Sequence, residues 1–148
     1  MGLKLDREQM RKLERHLCRA YPEEGCGVLV GREAGGTRVV EEIATVENVS
    51  PGPRDHRYFI APEQFLDIER RARAAAREVL GFAHSHPDAP ARPSAFDLEH
   101  AWDYYSYLIV CVSQGAVADA RAWRLRADRS GFDPEPVEIS DPARPDAG

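Results

Sequence analysis

The sequence predicts an α/β protein, a single domain with a central mixed β-sheet flanked by helices. Segments of helical periodicity are interspersed with β-branched and nearly continuous apolar runs, and they do not recur as regular βαβ units, so a purely parallel sheet is not expected. The 148 residues are the size of one ordinary domain, and 43% hydrophobic beside 30% charged residues describes a water-soluble chain able to bury a core. We place the domain at residues 1–140 and read 141–148, "DPARPDAG", as a disordered tail with too little apolar content to fold.

Each element has a local reason. "LDREQMRKLERHLCRAYP" offers Asp6 as an N-cap with Gln9 three residues later, then Met10, Leu13, Leu17 and Ala20 at helical spacing, and stops near Pro22. "GCGVLVG" and "TRVVEEIATVEN", separated by the turn-rich "REAGG", read as two antiparallel strands. "VSPGPRDH" is a loop and "RYFI" a short strand. "APEQFLDIERRARAAAREV" is a helix with Pro62 in its first turn and Phe65, Ile68, Ala72 and Ala75 along one face. "VLGFAHSH" reads as a buried strand, and after "PDAPARP" a helix starts at Ser94. "YLIVCVS" is a central strand, "ARAWRL" an edge strand, and Val137–Ile139 a brief last one.

Composition excludes several functions. No apolar run approaches the ~20 residues of a membrane helix, and "MGLKLDREQM" has no signal-peptide pattern, so a cytoplasmic protein is expected. Cys18, Cys26 and Cys111 form no CxxC pair and are odd in number, which argues against a disulfide framework and a thiolate zinc site; they read as small core residues. A net charge of −5 with dispersed arginines provides no footprint for nucleic acid.

The chemistry concentrates in "GFAHSHPDAPARPSAFDLEHAW", residues 81–102. Strand alternation points His84 and His86 the same way, with Cα atoms about 6.6 Å apart, a span that two imidazoles can close onto one ion. In a helix beginning at Ser94, Asp97 lies one turn on and completes a three-ligand set. Three protein ligands leave a fourth position for water, the pattern of catalytic zinc, and such a water needs a carboxylate base that is not itself a ligand. Glu24, just before "GCGVLVG", is the better candidate and Glu23 its rival. Against this, an H-x-H at a strand end is more often two half-exposed histidines beside a turn, and S-x-x-D taken alone favours a capping box, a reading that competes with ligation at Asp97. His100 is either a surface residue or a neighbour of the site. His16 and His56 are expected to face solvent.

Taken together, "EGCGVLVG" and, some sixty residues later, "HSHPDAPARPSAFD" resemble the JAMM/MPN+ (Mov34/Pad1-like) metalloproteases, whose signature is a glutamate ahead of a Cys-Gly strand, then H-x-H-P, six residues and S-x-x-D. The resemblance spans roughly residues 5–125 and implies a deaminase-like mixed sheet with flanking helices. It also implies His84, His86 and Asp97 as Zn2+ ligands, Glu24 rather than Glu23 as general base, and Ser94 as hydrogen-bond donor to the oxyanion. The implied reaction is hydrolysis of an amide or isopeptide bond after the C-terminal Gly-Gly of a ubiquitin-like protein. No large insertion fits here, so the chain is similar to the compact bacterial peptidases that act on sulfur-carrier proteins. A non-catalytic scaffold that binds a ubiquitin-like partner, and a small-molecule amidohydrolase on the same fold, are the alternative expectations.

Overall fold

The computed structural model describes residues 2–141. The elements run β1 (Gly2–Asp6), α1 (Arg7–Ala20), β2 (Cys26–Ala34), β3 (Thr37–Val46), α2 (Pro62–Ala74), β4 (Glu78–Pro87), α3 (Ala95–His100), β5 (Ser106–Ser113), β6 (Ala116–Leu125), β7 (Phe132–Glu135) and β8 (Val137–Ser140). They form one eight-stranded sheet in the order β7-β6-β5-β4-β2-β3-β1-β8. The sheet is mixed, as expected: β4 with β5 and β1 with both β3 and β8 are parallel, and the remaining pairs are antiparallel.

Two apolar layers cover the sheet. The α1 capping box forms, with Asp6 Oδ1 accepting from the Gln9 N–H at 2.7 Å and Gln9 Oε1 from the Asp6 N–H at 3.0 Å, an arrangement that stabilises a helix by about 1 kcal/mol. Met10, Leu13 and Leu17 then bury against Leu29, Ile43, Leu80 and Leu108, each leucine contributing roughly 1.5–3 kcal/mol. On the other side, α2 lays Ile68 and Ala72 on Cys26, Val28, Val30 and Val79, with Phe65 and Phe82 packed at the margin.

Four local expectations are corrected. "RYFI" is not a strand: residues 57–60 join no ladder, because their backbone groups find partners in their own loop and they line the cavity beside the site. β1 is an additional strand that precedes α1 directly. "ARAWRL" belongs to β6, which is not an edge strand, because β7 pairs with it from Ala122↔Glu135 to Leu125↔Phe132. His16 does not face solvent: it is half-buried, and its Nε2 lies 3.0 Å from the carbonyl oxygens of both Cys26 and Val46. Of the predicted tail, residues 142–148 lie outside the described residues.

Candidate metal centre

The site is built on β4, which lies between antiparallel β2 and parallel β5. Gly81 permits this close pairing, since a Cβ there would lie 1.9 Å from the Ser106 carbonyl oxygen. Beyond it, strand alternation sends Ser85 to one face and His84 and His86 to the face covered by α2. The short α3 delivers Asp97. Ser94 caps that helix by accepting the Asp97 N–H at 3.1 Å, while Asp97 Oδ2 accepts the Ser94 N–H at 2.9 Å.

The capping box and the histidine contacts coexist at Asp97 because its two carboxylate oxygens have room for both, with Oδ2 shared between them. Oδ1 lies 3.2 Å from His84 Nε2, and Oδ2 lies 3.0 Å from His86 Nε2 as well as bonding the Ser94 N–H. The two Nε2 atoms are 3.2 Å apart. His86 Nδ1 lies 2.8 Å from the Pro90 carbonyl oxygen, which can only accept, so Nδ1 carries a proton and Nε2 is the nitrogen turned to the carboxylate. Each ring nitrogen thus meets its own oxygen of the Asp97 carboxylate, His84 Nε2 at 3.2 Å and His86 Nε2 at 3.0 Å. His84, His86 and Asp97 accordingly offer ligand atoms that all lie within 4.8 Å of one another, and imidazole with carboxylate is a donor set suited to zinc and other divalent ions. Burial opposes the charge on Asp97, but His84 and the hydrogen bonds from His84, His86 and the Ser94 backbone outweigh it and hold the carboxyl well below the usual carboxylate range.

Glu24 and Glu23 differ sharply in setting. The β2–β4 register pairs Cys26 with His84, and Ser85 continues it by donating its N–H to the Gly25 carbonyl at 3.0 Å and accepting the Gly25 N–H on Oγ at 2.8 Å. One residue further back, Glu24 is 4% exposed and its Oε1 is buried with no hydrogen-bond partner among the described residues, whereas Glu23 is exposed. Burial, then the negative charges of Asp97 and Asp55, push the Glu24 carboxyl up to about 9. Gly25 explains the glycine of "EGCG": a Cβ would sit 2.9 Å from Leu17 Cδ2 and 3.0 Å from Ala20 Cβ, so the strand end carrying Glu24 packs directly on α1. Burial also pushes the neighbouring Cys26 thiol up to about 12, which leaves it an apolar core group.

The loop from 47 to 61 supplies residues that the sequence did not single out. Tyr58 stacks on His84 with ring centroids 4.5 Å apart, and the Asn48 side chain bridges Glu24 to this loop. No motif marks either residue. Loop residues between Ser50 and Ile60 also wall an open cavity of about 640 Å³ that reaches His84 and Asp97, lined on its other sides by Phe82, Phe96, Trp102 and Tyr105. His100 stands on this cavity, exposed and stacked on Phe96, outside the ligand group. His56 is exposed, as expected.

A family model described as prokaryotic homologs of the JAB domain matches residues 6–126. The chain belongs to this family. The JAB-domain match contains Glu24, His84, His86, Ser94 and Asp97, and it places the chain among the compact prokaryotic JAMM/MPN proteins. The JAB-domain chain is 39% identical over 103 residues to a desampylase of Haloferax volcanii, covering 69% of this chain and 70% of that protein. It is 32% identical over 107 residues to a probable TtuB-protein conjugate cleaving protease of Thermus thermophilus, covering 72% and 68%. A solution structure of a Desulfitobacterium hafniense protein superposes with a TM-score of 0.82 at 31% identity, over 95% of this chain and 94% of that one. Among the described residues, no helix of this JAB-domain protein is long and apolar enough to cross a membrane.

Proposed function

We propose that the protein is a zinc-dependent peptidase that hydrolyses the amide or isopeptide bond following the C-terminal Gly-Gly of a ubiquitin-like or sulfur-carrier protein. The observation that carries this reading is the convergence of His84 Nε2, His86 Nε2 and both Asp97 oxygens, together with a buried Glu24 oxygen that feels the Asp97 charge and has no partner among the described residues. The substrate class draws support from two relatives, one named a desampylase and the other a protease that cleaves a protein conjugate.

His84, His86 and Asp97 hold the metal in this reading. When bound, zinc acts as a Lewis acid that brings the pKa of water toward ~7 and polarises a carbonyl. The chain's own groups do the rest. Glu24, in the carboxylate form that a cation held by the three ligands would favour, takes a proton from the attacking water and returns it to the leaving amine, and its buried setting favours holding that proton between the two steps. Ser94 accepts the Asp97 N–H on its Oγ, so its hydroxyl proton stays available to the oxyanion of the tetrahedral carbon. Asp97 is kept ionised by its neighbours, and the Pro90 carbonyl fixes the tautomer of His86. A glycine tail suits a site sunk beside loop 47–61, since only a chain without side chains threads a narrow groove.

The test is incubation with a Gly-Gly-tailed carrier fused through its C-terminus to cysteine or a short peptide, followed by intact mass. Chelator-sensitive cleavage after the last glycine is expected. Tight binding without a mass change would instead assign a non-catalytic scaffold.

A further inference from the structure

We infer that Asn48 is a positioning residue that sets the general base and the support of a metal ligand together, an inference resting on the reading of Glu24 as base. Its half-buried side-chain amide is saturated. Nδ2 donates to the Glu24 carbonyl at 2.8 Å and to the Arg57 carbonyl at 2.9 Å, while Oδ1 accepts the Ser50 N–H at 3.0 Å and the Phe59 N–H at 3.2 Å. An asparagine has two donors and two acceptor lone pairs on its amide, and here each meets a different backbone group.

Those four groups belong to two pieces of the site. The Glu24 carbonyl is the last backbone acceptor before the Gly25–Ser85 clamp, and the Glu24 N–H donates to Arg54 in the same loop at 2.6 Å. The Glu24 peptide is therefore gripped on one side by β4 and on the other by loop 47–61, with Asn48 as the side chain that joins them. Arg57 and Phe59 flank Tyr58, so the same amide fixes the backbone on both sides of the ring that stacks on His84. The loop has no ladder of its own over 57–60, so these bonds stand in for sheet pairing. Aspartate is nearly isosteric but has no donors. It keeps the bonds from Ser50 and Phe59 and loses those to Glu24 and Arg57.

The experiment compares wild type, Asn48→Ala and Asn48→Asp, each checked for folding by circular dichroism, with three readouts: kcat and KM on the carrier–cysteine fusion, zinc affinity by chelator competition, and amide exchange over residues 54–60 of the metal-free protein. In Asn48→Ala, kcat should fall about 30- to 100-fold with KM within about 3-fold, because a small misplacement of a base costs rate rather than binding. Zinc affinity should weaken about 10-fold through the loosened Tyr58–His84 stack, and exchange over 54–60 should accelerate. In Asn48→Asp the same loss of kcat should appear with zinc affinity within about 3-fold of wild type. A lowered unfolding midpoint with unchanged kcat and zinc affinity would make Asn48 merely structural and overturn the inference, as would failure of both variants to fold. If wild type cleaves no tail, the functional reading fails separately; zinc affinity and exchange then decide on Asn48, with a shift in Asn48→Ala supporting its role and no shift overturning it.

Discussion

Replacing Glu24 by glutamine should stabilise the metal-free protein increasingly as pH rises. The carboxyl is raised in the folded state from an ordinary value of 4.5 to about 9, first by burial and then by Asp97 and Asp55. The folded state therefore prefers the protonated acid. Its full stability is present below the unfolded value and is lost as pH rises from there through the folded one. Each pH unit in that window costs at most about 1.4 kcal/mol, hence about 1 kcal/mol near pH 5 and about 5 kcal/mol near pH 8 as upper limits. Glutamine keeps the shape and carries no titrating proton. For a chain of this length, about 4 kcal/mol between the two conditions corresponds to roughly 8–16 °C in the unfolding midpoint. The assay is thermal unfolding of wild type and Glu24→Gln, both with chelator, across that pH range. The midpoint of the variant should gain on wild type with rising pH, and added zinc should narrow the gap by favouring the carboxylate. An equal midpoint difference at both ends of the range would refute the burial argument for Glu24.

The other predictions concern single atoms. Glu23→Gln should leave turnover unchanged, since that side chain is exposed; a loss matching that of Glu24→Gln would exchange their roles. His84→Ala and Asp97→Ala should each lose zinc by elemental analysis, and full occupancy in either would overturn the ligand set. Ser94→Gly should keep most of the helix cap, at a cost of a few tenths of a kcal/mol, while kcat falls about 10²-fold or more; a fall no larger than the stability change would leave Ser94 a cap alone. Gly25→Ala forces a Cβ within 2.9 Å of Leu17 and should destabilise by about 1–3 kcal/mol, measured by denaturant unfolding.

How much was legible depended on how local each signal was. The Asp6–Gln9 box and the Met10, Leu13, Leu17 spacing define α1 within its fourteen residues and the N-cap before them, so the helix could be read directly. The common facing of His84 and His86 follows from strand geometry alone. β7 was not legible because Phe132–Glu135 is four residues long and contains Pro134, a residue that marks sheet edges rather than strand interiors. Likewise Gly2–Asp6 is too short to show alternation before α1 begins. Asn48 and Tyr58 carry no local signal for a different reason: the site residues they touch, Glu24 and His84, are 24 and 26 residues away, brought near by a loop folded back across the end of β2. Capping does not compete with the histidine contacts at Asp97, since its N–H and Oδ2 form the cap while Oδ1 and Oδ2 face His84 and His86.

The central claim is that a metal held by His84, His86 and Asp97 and a proton carried by Glu24 together break the bond after a glycine tail. Stripping the protein with chelator and returning one equivalent of zinc, while following cleavage of the carrier–cysteine fusion by mass, tests both halves at once. Wild type should fall silent and recover, whereas Glu24→Gln should bind the returned zinc equally well and stay silent. Cleavage that survives stripping, or that zinc restores in Glu24→Gln, would contradict the account.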